Sequence, residues 1–246
     1  MQKQRAEPDL RILSKKQAGG GLNIPRDIGL LPATYIPPPL STLPKSPVFL
    51  ANLLYRHIRF KLRDFSHRAI LKYGGPRLGA GKRFWQIGRA KVRHPKRSQV
   101  KKMALALYSD VYQAFAQKDV KKLRKICADG LLGSMTEKMR GLGGERVEWE
   151  MRLKGARVVG HRVVNLGVEG IACRQCVVRI DSVQKLTRWR SGQVVEGSGR
   201  ERGVREFFVV QRMMKGWEEG RWDAWGMVEP TDPEVDFERW REEGLM

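Results

Sequence analysis

Apolar side chains recur at helical spacing in residues 48–73, a stretch that contains neither proline nor glycine. Six of them form one stripe when the chain is projected at about 100° per residue: Leu54, Ile58, Leu62, Phe65, Ala69 and Tyr73. Basic residues flank the stripe, with Arg56, Arg59 and Arg63 on one side and Lys61, Arg68 and Lys72 near the other edge. This pattern predicts an amphipathic basic helix over 48–73.

The sequence leaves three uses open for such a helix. It could bury the stripe in an anionic membrane surface, or pack the stripe on protein while its cations bind phosphates. It could also be an ordinary surface helix with a solvated face. We therefore predict the six cations of 48–73 as RNA- or membrane-binding residues.

Beyond Gln99 the pattern changes from helical spacing to alternation. Three helices are predicted from Leu105, Tyr108, Tyr112 and Phe115, from Val120, Leu123 and Cys127 after an N-cap at Asp119, and from Leu131, Met135 and Met139 after Asp129. Alternation over 147–153 and β-branched runs at 157–166, 171–189, 204–214 and 222–228 then predict strands. Helices followed by an antiparallel meander indicate an α+β domain over 99–230, with the helices covering one sheet face.

Both ends of the chain differ from this domain. Residues 1–47 hold Gly19, Gly20 and Gly21 and eight prolines, which predicts an extended arm that lies along a surface, although a disordered tail fits equally well. Residues 231–246 are rich in carboxylates and are interpreted as an acidic tail. The segment 74–98 is interpreted as a basic, glycine-rich linker.

Charge is distributed unevenly along the chain. The net charge is +22, and residues 1–102 contribute 23 basic and four acidic side chains, a net of +19. The remaining 144 residues carry 25 basic and 22 acidic side chains, a net of +3. Such an excess favours polyanionic partners, either nucleic acid or an anionic membrane face.

Residues 74–102 contain no acidic side chain, and two aromatic residues, Phe84 and Trp85, lie among their cations. Lysine and arginine release counterions from phosphates, and aromatic faces stack on unpaired bases, so the segment favours RNA over a merely solubilising linker. The predicted RNA-binding residues are Arg77, Lys82, Arg83, Phe84, Trp85, Arg89, Lys91, Arg93, Lys96, Arg97, Lys101 and Lys102.

Several protein classes are excluded or disfavoured. No apolar run approaches the roughly 18 to 20 residues that cross a bilayer, and 41% hydrophobic residues are too many for a wholly disordered chain. Cys173 and Cys176 form a lone C-x-x-C pair that would point to opposite faces of a strand, with no second pair to complete a zinc site. We predict no catalytic residue, no metal site, no cofactor and no small-molecule substrate.

The order of motifs resembles one known domain. Residues 111–119 followed by Leu123 and Cys127, and later 181–189, 197–203, 204–212 and 222–225, resemble the opening helices and last strands of the Tim44-like domain. The resemblance covers about residues 99–230. It implies a nuclear-transport-factor-like cone of three helices and a curved antiparallel sheet with a groove, and a family that is not known for catalysis.

Within this family, the basic arm and amphipathic helix look more like the ribosome-bound branch, which comprises mitochondrial large-subunit ribosomal protein forty-five and a related membrane-associated ribosome receptor. Residues 31–39 followed by 53–56 resemble the receptor. The implied place is the mitochondrial matrix, on the large subunit near the peptide exit and peripheral to the inner membrane. The implied partners are large-subunit rRNA, neighbouring ribosomal proteins, the membrane surface, the insertase and the nascent chain.

Two other hypotheses stay open. The first is a membrane-associated scaffold of the mitochondrial import motor that makes no RNA contact, with the 48–73 helix in cardiolipin-rich lipid. The second is a ligand-binding or enzymatic use of the groove, which would require a cluster of polar groups with perturbed pKa values there. A bound metabolite or two convergent carboxylates in a deep pocket would support it.

Overall fold

The computed structural model describes residues 26–39, 43, 46–73, 95–166, 171–215 and 218–244. In this part of the chain five helices and five strands form, in sequence order: α1 (Pro47–Tyr73), α2 (Arg97–Ala116), α3 (Val120–Ile126), α4 (Asp129–Gly141), β1 (Arg146–Asn165), β2 (Ala172–Arg190), β3 (Gln193–Val194), β4 (Glu201–Lys215), β5 (Glu218–Val228) and α5 (Val235–Glu242). The predicted α+β class is confirmed.

The strands form one open, curved antiparallel sheet in the order β1-β2-β4-β5, with the short β3 paired to β2. The two stretches predicted at 147–153 and 157–166 are a single strand, β1, of 20 residues. Its pairing with β2 shifts register between Leu153 and Gly155 and again between Val158 and Gly160. Such bulges bend a strand without ending it, so one long strand follows the curvature of the sheet.

Helices α2, α3 and α4 cover one face of the sheet. Tyr108, Val111 and Leu123 are fully buried there against Val178 and Phe208 of the central strands. The predicted N-cap at Asp119 is confirmed, because its carboxylate accepts a hydrogen bond from the Lys122 backbone N–H at 2.8 Å. These helices and strands build the main hydrophobic core.

The opposite face of the sheet is covered by the proline-rich segment 26–39. Ile28, Leu31 and Ile36 of this segment are buried against side chains that include Cys173, Val177 and Val209. The helices cover one face as predicted, and this cover on the second face is additional. The reason lies in β2 and β4, whose apolar residues are consecutive rather than alternating, a pattern that requires cover on both faces.

Two buried glutamines bind the backbone of segment 26–39. Gln175 of β2 accepts from the Leu31 N–H at 2.9 Å and donates to the Gly29 carbonyl at 2.7 Å and to Gln211 Oε1 at 2.9 Å. Gln211 of β4 donates to the Arg26 carbonyl at 2.6 Å. These bonds satisfy main-chain groups that would otherwise be buried without partners, so the segment is held in a defined register.

Helix α5 lies within the stretch interpreted from sequence as an acidic tail. Its Phe237 and Trp240 are buried and pack with Tyr35 and with Phe60 of α1. The Tyr35 and Phe60 rings stack with centroids 5.2 Å apart, and the Trp240 ring meets Phe60 edge-on at 5.4 Å. We call these four residues the aromatic cluster. It joins three segments that are far apart in sequence and seats α1 on the domain.

Candidate functional site

Helix α1 turns its inner face toward the domain. Leu53, Phe60 and Asp64 lie on this face at intervals of seven and four residues, and all three are buried. The inner face is therefore a different set of residues from the predicted apolar stripe. It combines two apolar contacts with a buried carboxylate.

Asp64 is the anionic centre of the contact between α1 and the sheet. Its carboxylate accepts from Nη1 of Arg162 of β1 at 3.1 Å, and Arg63 Nη2 lies 3.7 Å from the same oxygen. The side chains of Arg162 and Asp64 are only 6% and 10% exposed. Arg162 also donates to the Pro32 carbonyl at 2.6 Å, so one guanidinium joins α1, β1 and segment 26–39.

Three of the predicted cations of α1 point inward and bind main-chain carbonyls. Lys61 Nζ donates to Val159 O at 2.5 Å, Arg63 Nη2 to Ala33 O at 2.6 Å, and Arg68 Nη1 to His161 O at 3.3 Å. Burial lowers the pKa of Lys61 and of Arg68, and burial together with the neighbouring Arg162 lowers the pKa of Arg63 to about 10. The inner face is thus a crowded, partly desolvated cationic contact.

The remaining predicted cations of α1 are placed differently. The Arg56 guanidinium lies 4.5 Å from the Phe237 ring centroid, a cation–π contact, and its Nε donates to Asn52 at 3.3 Å. Arg59 is exposed on the outer side of the helix. Lys72 lies in α1, but its side chain is outside the described residues.

The outer face of α1 carries the predicted stripe and faces away from the other residues that the structure describes. Leu54, Ile58, Leu62 and Phe65 are 60%, 50%, 64% and 64% exposed, whereas Ala69 is half-buried and the Tyr73 side chain lies outside the described residues. We call the exposed apolar side chains of this helix the apolar ridge: Val48, Leu50, Leu54, Tyr55, Ile58, Leu62, Phe65 and Ile70. Contiguous exposed apolar surface of this kind marks an interaction site.

The predicted RNA-binding set is only partly within the described residues. Arg77, Lys82, Arg83, Phe84, Trp85, Arg89, Lys91 and Arg93 lie outside them. Lys96, Arg97, Lys101 and Lys102 are exposed at the start of α2, whose first turn contains no acidic residue. Arg97 is close enough to contribute to the lowered pKa values of Lys61 and Arg68, so Arg97 lies near one flank of α1. A helix start with four exposed lysine and arginine residues and no acidic side chain in its first turn favours an anionic partner.

Sequence reasoning did not find a polar cluster between α2 and the sheet. Tyr108 and Tyr112 both donate to the Glu206 carboxylate, the latter at 3.0 Å. Gln184 donates to the Tyr108 hydroxyl at 2.6 Å and accepts from the Trp149 ring N–H at 3.1 Å. Burial and the adjacent Glu206 raise the pKa of Tyr112. The polar groups bind one another, so the cluster stabilises the fold and leaves no poised acid or base.

The C-x-x-C pair is placed as the strand geometry required. Cys173 is buried under segment 26–39 and Cys176 under the helices on the opposite face, and burial raises the pKa of Cys176 to about 12. Among the described residues, no group of three or more histidine, cysteine or acidic side chains is arranged to hold a metal. In that same part of the chain, no helix is both long and apolar enough to cross a membrane.

The comparisons with known proteins agree with the fold. The model of the Tim44-like domain matches residues 96–229, which is more than half of the 246-residue chain. A search of curated proteins finds no significant match. The Tim44-like domain is in general a non-catalytic scaffold and fits a mitochondrial, membrane-associated role. On this match, the chain belongs to the Tim44-like domain family.

Proposed function

We propose that this protein is a non-catalytic component of the mitochondrial large ribosomal subunit near the peptide exit. It binds rRNA through the basic segment that ends at Lys102 and rests on the inner membrane through α1. In this way it helps to tether the ribosome for co-translational insertion, with neighbouring ribosomal proteins, the insertase and the emerging chain as further partners.

The outward-facing apolar ridge carries the membrane attachment in this proposal. Of the two binding modes that the sequence left open, packing the stripe on the protein would have buried it, yet Leu62 and Phe65 are each 64% exposed. The inner face is occupied by Asp64, Arg162 and the aromatic cluster, so α1 is seated without using the ridge. A rigid helix that presents an apolar surface suits attachment to a lipid interface.

The distribution of charge supports a polyanion as the second partner. The net +19 of residues 1–102 exceeds what the inner face of α1 can neutralise, because a single carboxylate, Asp64, is buried there among the described residues. Lys96, Arg97, Lys101 and Lys102 at the start of α2 are exposed and continue the basic segment. Cations arranged in this way bind phosphates with strong dependence on salt.

Co-sedimentation of the full chain with mitochondrial large subunits tests the RNA contact. Replacing Lys96, Arg97, Lys101 and Lys102 with Gln, together with the cations of 77–93, should weaken binding by about tenfold or more and flatten its dependence on salt. A control replaces four exposed cations with Gln, namely Arg152, Lys154 and Arg202 of the strands and Arg200 just before β4, and should bind normally. Salt-washed subunits that retain the neutralised chain as well as the wild type would refute the proposal.

A scaffold of the import motor without RNA contact is the alternative, and the apolar ridge would serve it equally well. Flotation with liposomes and co-sedimentation with ribosomes separate the two functions. A chain that floats with lipid but does not sediment with ribosomes at low salt would favour the scaffold.

A further inference from the structure

We infer that the apolar ridge binds a bilayer by inserting apolar side chains between lipids and draws little of its affinity from anionic head groups. Its preferred partner is then a loosely packed or highly curved lipid surface, whether or not that surface is charged. The inference rests on the proposed membrane attachment and specifies the lipid chemistry that α1 recognises.

Three of the six predicted cations of α1 are already used within the protein. Lys61, Arg63 and Arg68 each donate to a main-chain carbonyl of the domain or of segment 26–39. Releasing them toward lipid would leave those partly buried carbonyls without hydrogen-bond donors. A new contact with a lipid phosphate would compensate for that loss without adding net affinity. These cations therefore contribute to seating α1 rather than to binding lipid.

The outer side of α1 carries little charge. Ala51, Asn52 and Ser66 are exposed on it beside the ridge, and Arg59 is the exposed cation there among the residues whose side chains the structure describes. Small, uncharged residues of this kind are only weakly attracted to a charged lipid surface. Binding of such a helix depends on the apolar area inserted and on defects in lipid packing.

The width of the ridge favours lipid over a second helix. Leu54 and Tyr55 are adjacent, hence about 100° apart around the helix axis, and they are 60% and 63% exposed. A coiled-coil partner covers a narrower seam, made of residues spaced alternately three and four positions apart. Tyr55 adds an aromatic ring with a polar tip, the type of side chain that is enriched at membrane–water interfaces.

Flotation of the full chain with vesicles of pure phosphatidylcholine tests the inference, because such vesicles offer no net charge to the basic segment. We expect the chain to bind small, highly curved vesicles more tightly than large ones, with less than about a twofold change between low and high salt. Leu62→Gln with Phe65→Gln should lower this binding by at least about tenfold, since two apolar side chains are lost from the insertion.

Two matched controls accompany this measurement. Leu153→Thr with Val194→Thr removes two exposed apolar residues from the sheet and should leave vesicle binding unchanged, because neither belongs to the ridge. Arg59→Gln should alter binding to neutral vesicles by less than about twofold. Circular dichroism of each variant verifies that the helix content is preserved.

The outcomes separate this inference from the proposed function. Binding that requires anionic lipid and disappears at high salt would overturn the inference while leaving membrane attachment intact. If the chain bound neither neutral nor anionic vesicles, both the inference and the proposed membrane attachment would be wrong. A concentration-dependent dimer that Leu62→Gln with Phe65→Gln dissociates would show that a second copy covers the ridge, and would also overturn the inference.

Discussion

The two faces of α1 invert the usual relation between polarity and burial. The inner face presents Asp64 and several cations to the domain and buries Leu53 and Phe60, whereas the outer face exposes the apolar ridge. In an ordinary surface helix, the apolar face would be the buried one. A sequence pattern can therefore identify an amphipathic helix without identifying which of its faces meets the protein.

The largest expected effect comes from removing the buried carboxylate of the inner face. Asp64→Asn leaves Arg162, whose side chain is only 6% exposed, without its anionic partner. Breaking one side of a buried ion pair costs about 3 to 5 kcal/mol, so α1 should dissociate from the sheet. Hydrogen exchange of the α1 amides and chemical denaturation measure the loss.

Asp110→Asn is the matched control, because its ion pair with Lys122 is exposed and should be worth less than about 1 kcal/mol. If α1 in Asp64→Asn remained as protected as in the wild type, the buried ion pair would not be what seats the helix.

Two phenylalanines of α1, one on each face, allow the stability contributions of the two faces to be compared directly. Phe60→Ala removes a ring from the aromatic cluster and should cost about 3 kcal/mol of unfolding free energy. Phe65→Ala removes a ring from the ridge and should change stability by less than about 0.5 kcal/mol while weakening vesicle binding. Thermal denaturation and flotation of both variants test the pair, and equal destabilisation by the two would contradict the assignment of faces.

The attachment of segment 26–39 should depend on one glutamine. Gln175→Ala removes the partners of the Leu31 N–H and the Gly29 carbonyl and should cost about 2 kcal/mol. Limited proteolysis near Arg26 should then become faster. Gln113→Ala in α2, where the side chain is exposed, is the control and should cleave at the wild-type rate. Unchanged proteolysis of Gln175→Ala would mean that apolar packing alone holds the segment.

The smallest effect is a dependence of α1 seating on pH. Burial, then the cations Lys61 and Arg157, lowers the pKa of His57, while burial, Arg162 and Arg63 lower that of His67 despite the nearby Asp64 and the Val163 backbone. A released helix would titrate its histidines near the ordinary value of 6.5 and bind more protons than the seated one. Seating should therefore be weakened as the pH falls through that value and restored as it rises.

Hydrogen exchange of α1 on either side of that pH, corrected for intrinsic rates, should show greater opening on the acidic side. Replacing both His57 and His67 with Gln should remove most of the change. The same pH dependence in the double variant would assign the effect to other groups.

Much of the fold could be predicted from local patterns. The three helices after Gln99, the N-cap at Asp119 and the antiparallel strands follow from spacing and alternation, which depend on neighbours in sequence. The cover on the second sheet face could also have been predicted, because four consecutive apolar residues at 207–210 are all buried. Such a run does not fit a strand with one solvated face.

The orientation of α1 could not be predicted in the same way. The inner face is selected by Phe237 and Trp240, which lie far from the helix in sequence, by Tyr35 of segment 26–39 and by Arg162 of β1. Projecting residues 48–73 around a helix axis takes into account only the residues of the helix itself. It therefore assigned the six flanking cations to an external partner, although Lys61, Arg63 and Arg68 bind within the protein.

The aromatic cluster also sets an order of events during synthesis. Phe60 is translated 177 residues before Phe237. Until then α1 lacks part of its seat, and a half-made chain exposes Phe60 and the inner cations together with the ridge. The unfinished protein would thus bind lipids and anions through both faces of α1. Once α5 is complete, the inner face is covered and only the outer face remains available.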